Sequence, residues 1–486
     1  MIIRIKSLAV ILSLAVSISI FSQDIERGIQ YIKQGDYVKA LNTLKNADKD
    51  KYDALAFYGY ALLKTGSIAD AEKTLKSAIA KDNERPEAFA FLGELYTSQK
   101  KYNDASSQFE TSKKFLPLSK TADQLDKEEI DMIISVLSKE AENFIADGKV
   151  DKALKSMYEA KTYDQNNPKI YVSIGDAFLV RGAYEPSITN YEDALKNKPN
   201  YAPALYGLGM AAFKKKKYSD ALDFQNKATE SDNNFAPAFF EKGRILYLSD
   251  KFANALEAFT RYSRLVPGSP RGNVYYGKTL YGMGKYDEAI SKLNEVLKID
   301  PNYGEANKYI AYCYIEKKDY TKAEEYFNKV KLEDFNSEDY VKRAKISVEQ
   351  NDFKRGEEMY KKAIEIDSTY EDAYFEYGKA QFKNQMYDDA LISFSKAIDL
   401  GILNVAAYVY KGIALYNLKK YDDAIDVLKK SIELNSEISS AYLWLGNSEV
   451  AANKMCDAKK SYTKYLEKQP DDEFAKDQLA RIECKQ

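Results

Sequence analysis

The sequence predicts an all-α fold in which antiparallel helix pairs stack side by side into a solenoid. Three observations support this prediction: a small residue recurs at steps of mostly 34 residues, a second small residue follows each one twelve positions later, and turn-forming residues separate the two. Such spacing is typical of repeat proteins, whose units pack only against their neighbours. We therefore expect one array of helix pairs, not several independent domains.

Residues 1–22 have the pattern of a cleavable secretory signal. Basic residues within the first six positions precede an apolar run from Leu8 to Phe21, and the small Ser22 follows at the cleavage position. The alternative is an uncleaved membrane anchor, but the run is shorter than the roughly 20 residues that a spanning helix needs. We expect an exported protein, periplasmic or extracellular, which meets a membrane only through export or through an associated envelope complex.

The two small residues of each unit indicate two helices in close contact. The first-helix positions are Gly59, Gly93, Ala141, Gly175, Gly209, Gly243, Gly277, Ala311, Ala344, Gly378, Gly412 and Gly446. The second-helix positions are Ala71, Ala105, Ala153, Ser187, Ala221, Ala255, Ala289, Ala323, Gly356, Ala390, Ala424 and Ala458. A further unit fits before Gly59, with Gly28 and Ala40 in the matching places.

A short turn precedes each second helix. An aromatic residue such as Tyr286 or Tyr421 commonly stands three positions before the second small site, and aspartate follows it, where a negative charge suits a helix N-terminus. Proline cannot continue a helix interior, so it marks the ends of several second helices. These prolines are Pro117, Pro199, Pro267, Pro301 and Pro470.

This pattern closely resembles the tetratricopeptide repeat family, whose helix-turn-helix unit carries small residues at motif positions 8, 20 and 27. The resemblance implies a right-handed α-α superhelical solenoid of about 13 units with a C-terminal capping helix. Three units occupy 23–119, a helical insertion occupies 120–133, ten units occupy 134–471, and the cap occupies 472–486. We expect the insertion to lengthen a first helix and to introduce a bend or boundary.

Composition argues against catalysis and against nucleic acid as a partner. The chain has no histidine, the commonest general base and zinc ligand. Its 72 basic and 74 acidic residues lack the positive excess that nucleic acid selects. Gly272 to Thr279 spells a P-loop pattern, but Gly277 stands at the small packing position, so we expect helix and no nucleotide. We predict a non-enzymatic protein without cofactor or metal.

The family resemblance places a concave groove on the first helices. Basic residues at motif positions 5 and 9, together with aromatic residues, form a ladder that suits an extended peptide with acidic and apolar side chains. The predicted groove residues are Tyr206, Phe240, Arg244, Tyr247, Lys278, Tyr281, Lys308, Tyr312, Lys345, Phe375, Lys379 and Phe382. The alternative is a solvated face of mixed charge, since Glu305, Glu316, Glu338 and Glu349 flank the ladder.

Two functions from different classes fit these features. The first is a non-catalytic scaffold for protein partners in the cell envelope or outside the cell. The second is a glycan- or peptidoglycan-binding accessory protein that uses the groove aromatics as stacking platforms. Co-purification separates them, because a scaffold retains protein whereas a glycan binder sediments with insoluble polysaccharide.

The three cysteines, Cys313, Cys456 and Cys484, are too few for a disulfide scaffold. We expect Cys313 to be buried and inert within a helix. Cys456 opens the last second helix and Cys484 ends the cap, so antiparallel packing would bring them together. A disulfide between these two is therefore a hypothesis.

Overall fold

The computed structural model describes residues 23–483, and these residues form α-helices joined by short turns and loops. The chain divides into two compact units, of which the first ends at Ile299 and the second begins at Asp300. The signal predicted at 1–22 lies outside the described residues, as does Cys484. The predicted all-helical fold class is confirmed for the part of the chain that is described.

Unit 1 contains eight helix pairs. Its first helices are α1 (23–33), α3 (Tyr52–Lys64), α5 (Pro86–Ser98), α7 (Lys127–Ala146), α9 (Pro168–Val180), α11 (Ala202–Lys214), α13 (Ala236–Tyr247) and α15 (Pro270–Gly282). Its second helices are α2 (Tyr37–Leu44), α4 (Ile68–Lys81), α6 (Tyr102–Lys114), α8 (Val150–Tyr163), α10 (Tyr184–Asn197), α12 (Tyr218–Ser231), α14 (Phe252–Leu265) and α16 (Tyr286–Ile299).

Unit 2 contains five helix pairs and a final helix. The pairs are α17 (Gly304–Glu316) with α18 (Tyr320–Phe327), α19 (Ser337–Glu349) with α20 (Phe353–Ile366), α21 (Glu371–Lys383) with α22 (Tyr387–Asp399), α23 (Ala406–Asn417) with α24 (Tyr421–Leu434), and α25 (Ser439–Ala451) with α26 (Met455–Lys468). The final helix α27 (Glu473–Arg481) begins at Asp472, whose carboxylate accepts a hydrogen bond from the Ala475 amide. Ala475 packs against Tyr462 and Tyr465 of α26.

The turn inside each helix pair contains one residue with a positive φ. Five of these residues are glycines: Gly35, Gly66, Gly148, Gly182 and Gly284. The others are Lys100, Lys216, Asp250, Lys318, Asn351, Gln385, Lys419 and Asn453, with φ between 54° and 62°. One left-handed residue between the helices reverses the chain direction, so the same turn recurs through both units.

The small residues set the spacing of the two helices in a pair, as the sequence predicts. A Cβ atom added to Gly59 would lie 2.8 Å from the Leu75 side chain of the following helix. A Cβ added to Gly277 would lie 2.6 Å from Leu293. Since side chains already fill these positions, a larger residue has to push the helices apart.

The insertion does not form the boundary that the sequence suggested. Its second half joins α7, which at 20 residues is longer than the 13-residue α5, and its first half forms a loop with a short 3₁₀ turn, Ala122–Gln124. Leu125, Ile130 and Ile133 pack into one hydrophobic cluster with neighbouring helices. The insertion thus lies within unit 1, and the chain divides after Ile299.

Candidate functional site

The first helices of each unit form one layer. In unit 1, α3 contacts α5, α5 contacts α7 and α7 contacts α9, and consecutive first helices of unit 2 contact each other likewise. Consecutive second helices lie farther apart, since each packs mainly on the first helices beside it. The layer with the closer spacing lies on the inside of a curved array, so the first helices provide the concave surface.

Arg244 on α13 begins a ladder of cations and aromatic rings in unit 1. Its guanidinium lies 4.4 Å from the centre of the Phe213 ring, which belongs to the preceding first helix. The same guanidinium binds the Glu241 carboxylate at 2.6 Å. One face of Arg244 is therefore used by the aromatic ring, and part of its charge is balanced within its own helix.

Lys278 on α15 continues this ladder one repeat later. Its ammonium lies 4.8 Å from the Tyr275 ring centre and 5.8 Å from that of Tyr247. Tyr247 and Tyr281 are half-buried, and each has a second ring beside it, Phe252 at 5.7 Å and Tyr286 at 5.8 Å. Both side chains thus remain partly accessible, and their contact with a ligand stays a prediction.

Phe240 does not belong to the exposed ladder, contrary to the sequence prediction. Only 5% of its surface is accessible, because it packs against Phe259, Tyr262 and Tyr275. Arg271 covers its ring at 4.5 Å. Phe240 thus supports the groove wall from behind, whereas Arg271 lies exposed on that wall.

Tyr206 lies on α11, one repeat before Arg244. It is half-buried and packs edge-on against Phe235 at 5.7 Å. Burial raises the pKa of its hydroxyl above the usual range, and the Glu241 carboxylate adds to this effect. Tyr206 therefore stays neutral and can donate a hydrogen bond over the whole physiological pH range.

A second cluster of cations and rings occupies the N-terminal repeats of unit 1. Tyr60 on α3 and Phe91 on α5 stack with 4.1 Å between ring centres. The Glu94 carboxylate binds two ammonium groups, Lys64 of α3 and Lys139 of α7, and Lys139 also donates to the Tyr60 hydroxyl at 3.1 Å. We call these five residues the N-terminal cluster.

The N-terminal cluster carries more positive than negative charge. Burial opposes ionisation of Glu94, but Lys139 and Lys64 outweigh it and hold the pKa of its carboxyl below the usual value. One carboxylate therefore stands between two ammonium groups. Beside them, the enclosing protein lowers the pKa of Lys169, and the charge of Lys139 lowers it further.

Asp176 on α9 has an unusual protonation equilibrium. Burial raises the pKa of its carboxyl to about 7, and the nearby Glu142 contributes to the rise. The Tyr191 hydroxyl donates a hydrogen bond to it at 2.6 Å, which acts in the opposite direction but is outweighed. At neutral pH this carboxyl is therefore only partly ionised and adds less negative charge than an ordinary aspartate.

Two predicted groove residues of unit 2 are bound by a buried carboxylate. Lys308 of α17 binds Asp339 of α19 at 2.5 Å, and the Tyr312 hydroxyl donates to the same carboxylate. Asp339 is fully buried and Tyr312 is 3% exposed. The prediction that Tyr312 contacts a ligand is therefore wrong. Asp339 binds both Tyr312 and Lys308, so the Lys308 ammonium already has an ion-pair partner within the fold.

The remaining cations of the unit 2 ladder are also paired. Glu376 of α21 binds Lys345 of the preceding first helix at 3.3 Å and Lys379 of its own helix at 3.0 Å. Lys345 and Lys379 are nevertheless partly exposed. The mixed-charge alternative thus describes this stretch, in which Asp339 and Glu376 balance the predicted cations.

The two phenylalanines of the unit 2 ladder differ in exposure. Phe375 is 4% exposed and packs between Phe394 and Tyr410, so the prediction of ligand contact is wrong for it as well. Phe382 is half-buried and packs edge-on against Tyr387 at 5.3 Å. Of the two, Phe382 alone is partly accessible, so its contact with a ligand stays a prediction.

The segments that resemble nucleotide-binding motifs are helical. The P-loop-like stretch from Gly272 to Thr279 lies inside α15, so its backbone amides bond within the helix and cannot surround a phosphate. Within the described residues, no group of three or more carboxylate or thiolate side chains is arranged to hold a metal ion. In the same part of the chain, no helix is both long and apolar enough to cross a membrane.

The cysteines take different states. Cys313 is buried within α17, as predicted, and its sulfur forms no disulfide. Cys456 is disulfide-bonded. Because Cys484 lies outside the described residues, its pairing with Cys456 remains a prediction.

Sequence reasoning missed the N-terminal cluster and Asp339. Tyr60 and Lys64 stand at motif positions 9 and 13, which belong to the groove positions of the resembled family, so register could have identified both. Lys139 stands outside those positions and follows the insertion, which disturbs the spacing. For Asp339, the only signal was the capping box that it forms with Asn336.

Comparison with known families agrees with the repeat spacing. One family model described as tetratricopeptide repeat matches residues 31–95 and 280–346. A second model with the same description matches 172–237, 341–405, 378–442 and 409–473. These matches together cover more than half of the chain and extend into both units. No curated protein is detectably similar to it.

Several solved structures are similar over much of the chain. The APC/C hetero-tetramer Cut9–Hcn1 contains a chain with 15% identity and a TM-score of 0.43, where the alignment covers 94% of this chain and 95% of that one. Yeast Tom70 has 16% identity and a TM-score of 0.40, with 89% and 97% covered. A repeat protein from Cytophaga hutchinsonii has 26% identity and a TM-score of 0.37, with 43% and 84% covered.

Proposed function

Because the chain belongs to the tetratricopeptide repeat family, we propose that it is a non-catalytic scaffold that holds an extended segment of a partner protein on its first helices. Repeats of this family typically mediate binding to other proteins. The observation that carries the finer proposal is the ladder of Arg244 and Lys278 against aromatic faces in successive repeats. Such a surface suits a peptide with carboxylate and aromatic side chains.

Unit 1 is the favoured site over unit 2 for this peptide. In unit 2 the predicted cations Lys308, Lys345 and Lys379 are bound by Asp339 and Glu376, so a ligand would have to displace internal ion pairs. Arg244 of unit 1 is paired as well, but Lys64, Lys139 and Lys169 lie beside only two carboxylates, Glu94 and Glu142, so this part of unit 1 has one cation more than it has carboxylates. We therefore expect an acidic peptide to bind unit 1 more tightly than unit 2.

Charge reversal on the ladder tests this proposal. Lys278→Glu should weaken binding of a fluorescein-labelled peptide of alternating glutamate and tyrosine residues by about tenfold, which corresponds to about 1.4 kcal/mol. Fluorescence anisotropy gives the affinity, and added salt should reduce it further because exposed charges are screened. Lys345→Glu is a poor choice, since it would place a carboxylate opposite Glu376.

Lys227→Glu provides the matched control. Lys227 lies on the second helix α12 and also faces an aromatic ring, Phe224 at 5.4 Å, so the substitution removes the same kind of contact outside the groove. Its peptide affinity should equal that of the wild type. Equal loss of binding in both variants, or no binding by the wild type, would reject the groove as the site.

The glycan alternative draws less support from the aromatic side chains. A stacking platform needs exposed ring faces, whereas Phe240, Tyr312 and Phe375 are buried. Sedimentation with insoluble peptidoglycan, compared with capture of protein, distinguishes the two functions.

We also propose that the protein acts in the periplasm or outside the cell. The support is the basic and apolar pattern of residues 1–22. Sequencing the N-terminus of protein isolated from its cells should locate the first residue near Gln23. An intact Met1 would contradict export with cleavage.

A further inference from the structure

The turn of the second repeat contacts a loop that follows the seventh. The Gly268 amide, between α14 and α15, donates a hydrogen bond of 2.9 Å to the carbonyl of Thr65 at the end of α3. One repeat earlier, the turn at Gly35 approaches the loop between α12 and α13, where the Asn234 Cβ lies 3.9 Å from the place of a Cβ on Gly35. These contacts join equivalent positions of successive repeats, so they follow from the winding of unit 1.

The glycines at the tighter contact leave no room for a side chain. A Cβ on Gly66 would lie 2.7 Å from the carbonyl carbon of Gly268, and a Cβ on Gly268 would lie 2.9 Å from that of Gly66. The positive φ at position 66 does not by itself require glycine, because Lys216 and Lys419 adopt a positive φ at the same turn position. Close approach of two backbones accounts for Gly66.

Close approach of two backbones also accounts for the glycine at position 268. The residues at the same position in the neighbouring repeats are Asn234 and Asn302, and Asn200 stands two repeats earlier. Each of these three has a side chain. Thr65 is only 1% exposed, whereas Ser249 and Gln350, at the same turn position in other repeats, are exposed. The Gly268 loop thus covers Thr65, and we call the contact of Thr65, Gly66 and Gly268 the clasp.

A clasp between successive windings closes the gap through which a chain would enter a groove from the side. We propose that unit 1 is a closed collar around a central channel, so that it takes up its partner as an extended acidic chain that enters by a free end. This inference rests on the proposed function for the identity of the ligand. The clasp itself rests only on the contacts of Gly66 and Gly268.

The chemistry of the inner surface is consistent with an enclosed channel. Lys169 reaches solvent, yet the surrounding protein lowers the pKa of its ammonium group. Lys64 and Lys139 share the carboxylate of Glu94, and the charge of Glu142 acts on both and on Lys169, so this part of the wall has three ammonium groups beside two carboxylates. A chain with carboxylate side chains supplies the missing partners along this wall.

Hydrogen exchange tests the clasp without any ligand. In the wild type the Gly268 amide should exchange slowly, because it donates to Thr65, and Gly66→Lys should accelerate its exchange at least tenfold. The matched control is Gly182→Lys, which shares the turn position and a positive φ but has no atom within 4 Å of its added Cβ. The control should leave Gly268 protected. Gly268→Asn, which installs the residue of the neighbouring repeats, should also remove the protection.

Two peptide probes test the closed channel. The first is the glutamate–tyrosine peptide with free ends, and the second carries a small folded domain fused to each end, so that it cannot thread. The wild type and Gly182→Lys should bind the blocked probe at least tenfold more slowly than the free one. Gly66→Lys and Gly268→Asn should bind both probes at the same rate.

The outcomes separate this inference from the proposed function. If the wild type binds both probes equally fast, the collar is wrong while the groove stands. If the wild type binds neither probe, the proposed function fails and the channel has no ligand of this class. Fast exchange of the Gly268 amide in the wild type would reject the clasp whatever the probes do.

Discussion

Asp176 shows how one side chain on the inner surface makes stability depend on pH. Its folded-state pKa of about 7 lies above the value of about 3.9 for an unfolded aspartate. Between these two values the unfolded chain releases a proton that the folded chain retains, so this group lowers stability as pH rises from about 4 to 7. The cause of the raised pKa is burial of the carboxylate, to which the charge of Glu142 adds, and the hydrogen bond from Tyr191 offsets only part of it.

Replacing Asp176 by asparagine removes that pH dependence. Asparagine retains an oxygen that accepts from Tyr191 and carries no charge, so the variant should exceed the wild type in stability by about 1–2 kcal/mol at pH 8 and match it at pH 4. Urea unfolding at both pH values gives the comparison. A constant difference between the two proteins across this range would show that Asp176 titrates normally.

Asp339, unlike Asp176, stabilises the folded state, because its buried carboxylate has several hydrogen-bond and ion-pair partners. It binds the Lys308 ammonium, accepts from the Tyr312 hydroxyl and completes the capping box of α19 with Asn336. Asp339→Asn should destabilise unit 2 by about 3 kcal/mol, because it leaves the Lys308 charge without its carboxylate. Glu338→Gln, at an exposed neighbour, should change stability by less than about 0.5 kcal/mol. Similar urea midpoints for both variants would contradict this role of Asp339.

At the scale of helices, the small residues decide how closely two helices of a pair can approach. Ala424 is fully buried on α24, and Gly412 opposite it on α23 has its Cβ position 2.6 Å from Leu428. A side chain at Gly412 would have to displace that of Leu428, and the fully buried Ala424 has no solvent-filled space beside it. The pair therefore depends on its small residues as much as on its large ones.

Ala424→Leu should destabilise unit 2 by about 1–3 kcal/mol through overpacking. Lys429→Leu on the same helix is the control, because Lys429 is exposed and leucine is equally compatible with a helix. Thermal unfolding followed by circular dichroism compares the two variants. Equal melting temperatures would mean that the α23–α24 interface can expand without cost.

For the molecule as a whole, the division after Ile299 predicts that unfolding is not a single transition. Each repeat contacts only its neighbours, so stability accumulates locally and two compact units can differ. The only tryptophan of the chain, Trp444, lies in unit 2 against Tyr416 with 5.4 Å between ring centres. Its fluorescence therefore reports on unit 2, whereas the helical circular dichroism signal reports on both.

We expect the urea midpoints of these two signals to differ. Asp339→Asn should lower the fluorescence midpoint, and Asp176→Asn should leave the fluorescence midpoint unchanged while it alters the circular dichroism curve at pH 8. Coincident curves for the wild type, together with equal shifts of both signals in each variant, would show that the units unfold as one.

The sequence by itself determined the helix pairs, their turns and their close spacing, because these depend on residues within one repeat. Gly59, Gly277 and the turn residues act on neighbours a few positions or one helix away, and their spacing is visible in the printed chain. The same regularity identified the family and showed that the P-loop-like stretch is part of a helix.

Tertiary structure alone decided which of the predicted groove residues are buried or paired within the fold, where the chain divides and what the turns contact. The sequence named Tyr312 and Lys308 for the groove, but Asp339, on the next first helix, binds both. Contacts such as that of Gly66 with Gly268 join segments many repeats apart. Such contacts depend on the rotation from each repeat to the next, added over a whole turn of the solenoid. The residues within a single repeat do not reveal that total rotation.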